Sequence, residues 1–359
     1  MASLSVETPH DTASWSEFLQ LRDKVYTTRD AYWPSSPRFD LQVLHGGTPF
    51  NEGRTLQPFF VRDGNRVVAR ILAVIDTRYQ QHWREPLGHL WWFEALPESY
   101  EAVQLLMDEA CSWLAQQGAQ AARAGSGALE FPFVIDEYDS LPPNILRQNP
   151  PYYHTLIKNA GFESEKGWVD YKIAVNPTLT NRWASMVEAA RRAEYDIVPL
   201  RDIPRDRCVS EFTATFNETF QSHWGWVPYT EDEMASLFTA LESLGTLDAS
   251  VLAYHQGEPV GMLLLTPEHS RHAVLAPGRI LRPDERLNVL AIGVRTQARG
   301  RGVNLAMAGY GLLELVRRGA RYVSYTLVLD DNWPSRRTGE KLGGLVCANY
   351  MVYRRNFRG

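Results

Sequence analysis

The sequence predicts an α/β protein with two domains, each built on a mixed central β-sheet flanked by helices. Three observations lead to this prediction. The chain has 359 residues, more than one ordinary hydrophobic core accommodates. The order strand, strand, strand, helix, strand, helix occurs twice along it. Between the two copies, the polar stretch 176–185 contains a proline and suits a linker or a helix start. We therefore place the domains at residues 1–176 and 177–359.

Each copy opens with a predicted β-hairpin. In the first copy, apolar runs flank a tight turn at residues 63–65, and in the second they flank a turn at residues 256–258. A further apolar run follows each hairpin, at residues 88–96 and 287–294. These runs predict a third strand in each copy.

A helical pattern follows the third strand in both copies and ends at Gly118 in the first and at Gly319 in the second. Gly319 suits a left-handed cap after basic residues in the last turn. The apolar residues that share one face of the second helix are Leu305, Ala308, Leu312, Leu315 and Val316. Each copy then continues with a strand-like run and a short helix, which ends in NAGF at residues 159–162 or in KLGG at residues 341–344.

Composition excludes several classes of protein. The chain is 44% hydrophobic and 22% charged, as globular proteins are. A net charge of −5 argues against a nucleic-acid partner. No apolar run approaches the roughly 20 residues that span a bilayer, so we expect no membrane association. The three cysteines lack CxxC spacing, the nine histidines lack ligand spacing, and the N-terminus lacks a signal-peptide pattern. We expect a cytoplasmic protein without a metal site.

The junction between the third strand and the helix of the second copy reads RGRGVN at residues 299–304. Amide groups at a helix start have no internal partners and carry the positive end of the helix dipole. Glycines let a bulky diphosphate approach the backbone, and arginines add charge-assisted hydrogen bonds. The motif is neither GxGxxG nor a Walker A loop. The pattern favours a phosphate site, with an ordinary glycine-rich turn as the alternative.

At this point the sequence resembles a known family. LAIGVRTQARGRGVNLAM is similar to the coenzyme-A signature of the GNAT acyltransferase superfamily. Two registers of its R/Q-x-x-G-x-G/A motif fit, one beginning at Arg299 and one at Gln297. We prefer the first, which keeps the usual spacing from Val294 but places Asn304 at a position usually held by a small residue. The following LDDNWPSRRTGEKLGG resembles the superfamily's later motif, with Asn332 as its asparagine. The whole chain resembles bacterial tandem GNAT proteins.

The resemblance implies that acetyl-CoA or another acyl-CoA binds as co-substrate, with its pantetheine between splayed strands four and five. The implied cofactor-binding residues are Ile292, Val294, Arg299, Gly300, Arg301, Gly302, Val303, Asn304 and Asn332. In the first copy the matching run has no glycine and carries Glu94 and Glu98 where phosphates would lie. We therefore expect a degenerate first domain that does not bind CoA in the usual way.

The resemblance also implies a mechanism of direct transfer. A backbone N–H between Ile292 and Val294 would bind the developing oxyanion. The tyrosine that often serves as the general acid falls on Gly339. Tyr325, Tyr310 or water would take that role, and both tyrosines have packing as the alternative.

We expect the acceptor site in the segment 216–234 of the second copy, which is dense in aromatic residues. The candidate substrate-binding residues there are Trp224, Trp226 and Tyr229. Bridging between the two domains is their alternative role. Glu218 and His223 are candidate bases, since an unperturbed histidine titrates in the useful range; a structural role for His223 stays open.

Three hypotheses about function follow. The first is an N-acyltransferase that moves an acyl group to the amine of a small molecule, with CoA or an acyl carrier protein as the pantetheine donor. The second is a catalytically silent module that binds the same thioester. The third, suggested by tandem GNAT proteins that use charged tRNA, conflicts with the acidic balance of the chain.

Overall fold

The computed structural model describes residues 3–26, 37–138, 149–243, 247–265, 290–317 and 319–357. The first half of the chain forms β1 (Leu4–Glu7), α1 (Thr12–Val25), α2 (Pro37–Leu44), β2 (Arg54–Asp63), β3 (Arg66–Asp76), α3 (Thr77–Trp83), β4 (Leu87–Ala95), α4 (Tyr100–Gln116), β5 (Ala121–Ala124), β6 (Phe133–Val134), α5 (Tyr153–Asn159) and β7 (Glu163–Ala174). The second half forms α6 (Pro177–Arg192), β8 (Tyr195–Pro199), α7 (Arg205–Phe220), α8 (Glu231–Ser243), β9 (Val251–His255), β10 (Glu258–Leu265), β11 (Leu290–Val294), α9 (Val303–Arg317), β12 (Tyr322–Leu329), α10 (Trp333–Lys341) and β13 (Leu345–Asn356). The predicted α/β class is confirmed.

The repeated elements of the sequence are present in both halves. The predicted hairpins are β2–β3 and β9–β10, and both pair antiparallel. The predicted third strands are β4 and β11, and the helices after them are α4 and α9. Gly319 has a φ of 94°, as the predicted left-handed cap requires. The second predicted hairpin covers residues 250–268, and its last three residues lie outside the described residues. The same is true of residues 287–289 of the third predicted strand in the second copy.

Hydrophobic cores on the faces of the sheets hold the layers together. In the first half, α1 and α4 pack against β2, β3 and β4. In the second half, α6 and α9 cover one face of the strands, with Trp183 of α6 fully buried. Helices α7 and α8 cover the opposite face, where Phe212 and Phe238 are also fully buried. The four strands β8 to β11 therefore have α9 on one face and α7 on the other.

The last strand of each half lies in the sheet of the other half. The order of the large sheet is β1-β2-β3-β4-β5-β13-β7-β12, with β6 paired to β13, and β8 to β11 form a separate four-stranded sheet. β13 therefore lies between β5 and β7, antiparallel to both, and β7 pairs with β12. The pattern of the sequence did not predict this exchange, because each strand has the same local character in either sheet. Each half completes the sheet of the other.

The predicted junction at residues 176/177 is a helix start. Asn176 is the N-cap of α6, and its side chain accepts the N–H of Leu179 at 3.0 Å, while Pro177 occupies the first turn. The boundary between domains at residues 176/177 stays a prediction, because the large sheet contains strands from both sides of it. No helix among the described residues has the length and apolar character to cross a bilayer.

Candidate functional site

Among the described residues, no strand pairs with the outer edge of β11. β11 pairs with β10 on one side, and β12 lies beside its other side without joining it in a sheet. The N–H of Arg295 donates to the carbonyl of Val260 at 2.8 Å. Because peptide groups alternate sides along a strand, those of Ile292 and Val294 face the open edge. In agreement, the Nε of Arg299 donates to the Val294 carbonyl at 3.1 Å. The gap that the resemblance implies is present between β11 and β12.

The glycine-rich turn follows this edge and leads into α9. Gly300 and Gly302 have φ of 77° and 80°, and a Cβ on either would meet no atom within 4 Å. Val303 is buried in the core and anchors the first turn of α9, whereas Arg301 is exposed. Among the described residues, the amides of 300–303 donate to no backbone carbonyl outside the helix. The turn therefore presents unpaired N–H groups and open space together, as an anion site requires.

α10 is hydrogen-bonded to the start of α9 through its sixth residue, Thr338. Asn332 caps α10, and its side chain accepts the N–H of Ser335 at 3.2 Å. The Nδ2 of Asn304 donates to the Oγ1 of Thr338 at 3.0 Å. The side chains of both asparagines are thus engaged in holding helices, and Asn304 offers the turn its backbone only. Both residues stay predictions as cofactor contacts.

Gly339 occupies the position at which the resemblance places a tyrosine, and two other tyrosine rings fill the space. A Cβ on Gly339 would lie 3.0 Å from the ring of Tyr325 and 3.2 Å from that of Tyr171. Tyr325 is buried, and its hydroxyl shares a hydrogen bond of 2.7 Å with the Oγ of Ser335. Burial raises the pKa of Tyr325 to about 12. Its hydroxyl is therefore held in the core beside α10.

Glu218 lies at the end of β11. Its Oε2 is 3.0 Å from the Nε of Arg295, the residue after the strand, and its side chain is 47% exposed. Helix α7 packs directly on β11 here, since a Cβ on Gly293 would lie 2.2 Å from the Oγ1 of Thr219. Glu218 thus stands at the mouth of the cleft on the α7 face.

His223 lies at the end of the neighbouring strand β12. Its ring packs against those of Trp168 and Phe220, with centroids 5.6 and 5.2 Å away. Burial lowers the pKa of His223 below its ordinary value. A hydrogen bond to the backbone of Trp224 and the charge of Asp331 raise this pKa in part, and the charge of Lys166 lowers it further. The imidazole is therefore neutral at pH 7, the form that accepts a proton. The two candidate bases flank the cleft at the ends of its two strands.

The three aromatic residues of the predicted acceptor segment do not act as one group. The carbonyl of Trp226 accepts the Nε1–H of Trp83 at 2.7 Å, and its buried ring packs on His82, so it bridges the halves. The ring of Tyr229 packs edge-on against Phe216, 5.4 Å away, within the core of the second half. For these two residues the geometry favours packing over substrate binding.

Trp224 has different surroundings. The guanidinium of Arg123 lies 4.5 Å from the centroid of its ring. The rings of Trp224 and Trp168 pack edge to face, with their centroids 6.3 Å apart, and Trp168 also packs on His223. Trp224 is therefore connected to the candidate base His223 through the ring of Trp168, and it stays a predicted substrate-binding residue.

The matching cleft of the first half is closed by its own side chains. The carboxylate of Glu130 accepts the N–H of Trp92. The hydroxyl of Tyr153 accepts the N–H of Ala95 at 3.0 Å, and that of Tyr152 donates to the carbonyl of Ala95 at 2.8 Å. β4 also pairs with β5 over residues 87–90. This half offers no open strand edge there.

One prediction about the first half is wrong in its detail. Glu94 does not replace a phosphate, because it is buried and accepts the hydroxyl hydrogens of Tyr153, at 2.5 Å, and Tyr26, at 3.4 Å. Glu98 is exposed just before α4. The predicted third strand at residues 88–96 already contained Glu94, and the structure places this residue inside β4 and not in the turn after it.

A buried ionic cluster between the halves escaped sequence reasoning. Glu233 at the start of α8 accepts two hydrogen bonds from Arg78, at 2.8 and 2.9 Å, and one from Arg54 at 2.8 Å. Arg54 also pairs with Asp76 at 2.7 Å. Although burial opposes ionisation, the two arginines leave the pKa of Glu233 lowered. No sequence pattern connects residues so far apart, yet they fix the acceptor segment on the first half.

The described residues contain no group of three or more histidine, cysteine or acidic side chains placed to hold a metal ion. Two features of the second half suit a cofactor, namely the unpaired edge of β11 and the turn before α9. The edge of β11 provides amides that face the cleft, and the turn provides free amides at a helix start. The two candidate bases, Glu218 and His223, lie nearby on the α7 face. This arrangement suits a long ligand with a polyanionic end.

Known proteins were compared with the chain. No family profile matches the sequence. Protein YghO of Escherichia coli (strain K12) is 24% identical over 219 residues, which are 59% of this chain and 55% of YghO, so the match spans about half the length of that relative.

Two solved structures resemble the chain along its whole length. A tandem GNAT protein from the clavulanic acid biosynthesis pathway superposes with a TM-score of 0.60 at 14% identity, covering 99% of this chain and 98% of that one. A GCN5-related N-acetyltransferase from Sphaerobacter thermophilus superposes with a TM-score of 0.56 at 14% identity, covering 99% and 96%. At such identities the likeness concerns the fold. The chain therefore has the fold of tandem GNAT proteins.

Proposed function

We propose that the second half binds a pantetheine thioester between β11 and β12 and transfers its acyl group to the amine of a small molecule. The open edge of β11, followed at once by the free amides of 300–303, is the observation that carries this proposal. The diphosphate of acetyl-CoA or another acyl-CoA lies on the turn. The pantetheine arm then runs along the peptide groups of Ile292 and Val294.

In the proposed reaction the amine attacks the thioester carbonyl, a C–N bond forms and the C–S bond breaks. The amide of Val294 or Ile292 donates to the developing oxyanion. His223 is neutral at pH 7 and accepts the proton lost by the amine, with Glu218 as the alternative base. Tyr325 has a raised pKa, yet its buried hydroxyl is engaged with Ser335, so water is the simpler source of the proton for the thiolate.

A silent binding module is the second candidate function. Gly339 at the position of the usual acid, and the burial of Tyr325, are the observations that favour it. The two functions share the binding step and differ in turnover. An acyl carrier protein as donor would use the same cleft and a different surface outside it.

Calorimetric titration of the purified chain with acetyl-CoA tests the binding step, and thiol release in the presence of a panel of small amines tests the transfer. We expect binding and amine-dependent release of free thiol. Absence of binding at about 1 mM acetyl-CoA rejects the proposal. Tight binding without release for any amine favours the silent module.

A further inference from the structure

An exposed tryptophan stands at the start of α10. Trp333 is 55% exposed, although large aromatic side chains are usually buried or used for binding. The guanidinium of Arg336 lies 4.6 Å from the centroid of its ring. That guanidinium is itself fixed, since its Nε donates to the hydroxyl of Tyr171 at 3.2 Å and its Nη1 to the carbonyl of Asp330 at 2.8 Å. Arg336 thus supports the ring while more than half of it stays open to solvent.

This tryptophan lies on α10, the helix that is hydrogen-bonded to the first turn of α9, directly after the glycine-rich turn. The Nδ2 of Asn304 donates to the Oγ1 of Thr338, which donates to the carbonyl of Pro334, and both bonds measure 3.0 Å. Pro334 follows Trp333 in the chain, so the two hydrogen bonds join the first turn of α9 to the start of α10, the helix that carries Trp333. Arg337 follows one helical turn after Trp333 and is exposed.

We propose that Trp333 stacks on the adenine ring of a CoA thioester whose diphosphate lies on residues 299–304. The inference rests on the proposed function and names the donor of that site. An aromatic ring stacks on a nucleotide base through its open face, and the face of Trp333 is held ready by a fixed cation. Exposed Arg337 and Arg301 give the surroundings a positive charge that complements the phosphates of the nucleotide. A carrier protein presents the same pantetheine arm without adenine, so this contact selects free CoA.

The substitution Trp333→Ala tests the inference by calorimetry with two probes, CoA and 4′-phosphopantetheine. We expect the affinity for CoA to fall about tenfold or more, as loss of one base–aromatic stack requires, and the affinity for phosphopantetheine to stay unchanged. Tyr100→Ala is the matched control, because Tyr100 is a 46% exposed aromatic residue at the start of α4 in the other half. The control protein should bind both probes as the parent does.

The outcomes separate this inference from the proposed function. A parent protein that binds no CoA overturns both. A parent that binds CoA, with a Trp333→Ala protein that binds it as tightly or loses both probes equally, overturns the adenine contact alone. As a second readout, CoA should quench the fluorescence of the parent more strongly than that of Trp333→Phe, because one stacked indole is missing from the variant.

Discussion

The two halves carry the same strand at the same place, yet one edge is closed and the other is open. In the first half, side chains from Glu130, Tyr152 and Tyr153 occupy the peptide groups at the end of β4. In the second half, Arg299 takes one carbonyl of β11, and no described strand pairs with the rest of that edge. Whether a cleft forms therefore depends on which polar side chains reach the edge of the strand, and not on the order of strands and helices.

Equivalent positions inside the two sheets differ in the same sense. Arg70 of β3 lies opposite Glu94 of β4, and Met262 of β10 lies opposite Gly293 of β11. The charged pair of the first half is buried, and Arg70 donates to the carbonyl of Phe18 in α1 at 2.7 Å. Gly293 instead lets α7 approach the strand. In the first half, Arg70 therefore holds α1 against the sheet. In the second half, the absence of a side chain on Gly293 lets α7 pack on β11 beside the cleft.

The largest effect is expected where the halves meet. Glu233→Gln leaves Arg54 and Arg78 buried beside a neutral amide, so we expect the free energy of unfolding to fall by about 3 kcal/mol. Urea denaturation measures it, with Glu231→Gln, exposed on the same helical turn, as the control. Equal stability of the two variants would show that the cluster does not hold the acceptor segment on the first half.

The next effect concerns the open edge of the second half. Gly302→Asp places a carboxylate among the amides of the turn, and we expect affinity for acetyl-CoA to fall about a hundredfold by charge repulsion. The fold should survive, since an acidic group at a helix start is favourable. Gly257→Asp is the control for backbone strain, because that glycine has a φ of 83°, close to the 80° of Gly302, with equally open surroundings. Equal affinities of the two variants in calorimetry would contradict the site.

At the closed edge of the first half we expect a smaller effect, on stability and not on acetyl-CoA binding. Glu130→Ala leaves the buried amides of Trp92 and Phe131 without this acceptor, so stability should fall by about 2 kcal/mol while affinity for acetyl-CoA stays unchanged. Glu109→Ala, on the exposed face of α4, should change stability by less than about 0.5 kcal/mol. Thermal unfolding and calorimetry measure the two quantities. Loss of acetyl-CoA binding in Glu130→Ala would mean that the closed cleft takes part in it.

The smallest effect is a shift in pH dependence. His223 accepts a proton only when neutral, and burial holds its pKa below 6.5, so kcat should decline only as the pH falls through that lowered value. At pH 6.5 most of the protein should still be active, whereas an unperturbed histidine would be half protonated. A profile of kcat between pH 5 and 8 measures this. An acidic limb that persists unchanged in His223→Gln would assign the base to another group, with Glu218 next to be tested.

Local patterns made much of the fold and part of the site predictable. Alternation and turn residues identified both hairpins, and glycine caps identified the ends of α4 and α9. The free turn at 300–303 followed from the same local chemistry. The exchange of β7 and β13, the cluster around Glu233 and the closure by Glu130 did not follow, because they join residues far apart in the chain. The packing of Tyr325 against Gly339 escaped for the same reason, since only the folded chain brings the ring to that helix.

A crystal structure of the chain soaked with CoA tests the central claim most directly. We expect the diphosphate on the amides of residues 300–303 and the thiol between Val294 and β12, facing His223, with no nucleotide in the first half. A nucleotide bound in the first half, or a pantetheine arm outside the gap between β11 and β12, would contradict it.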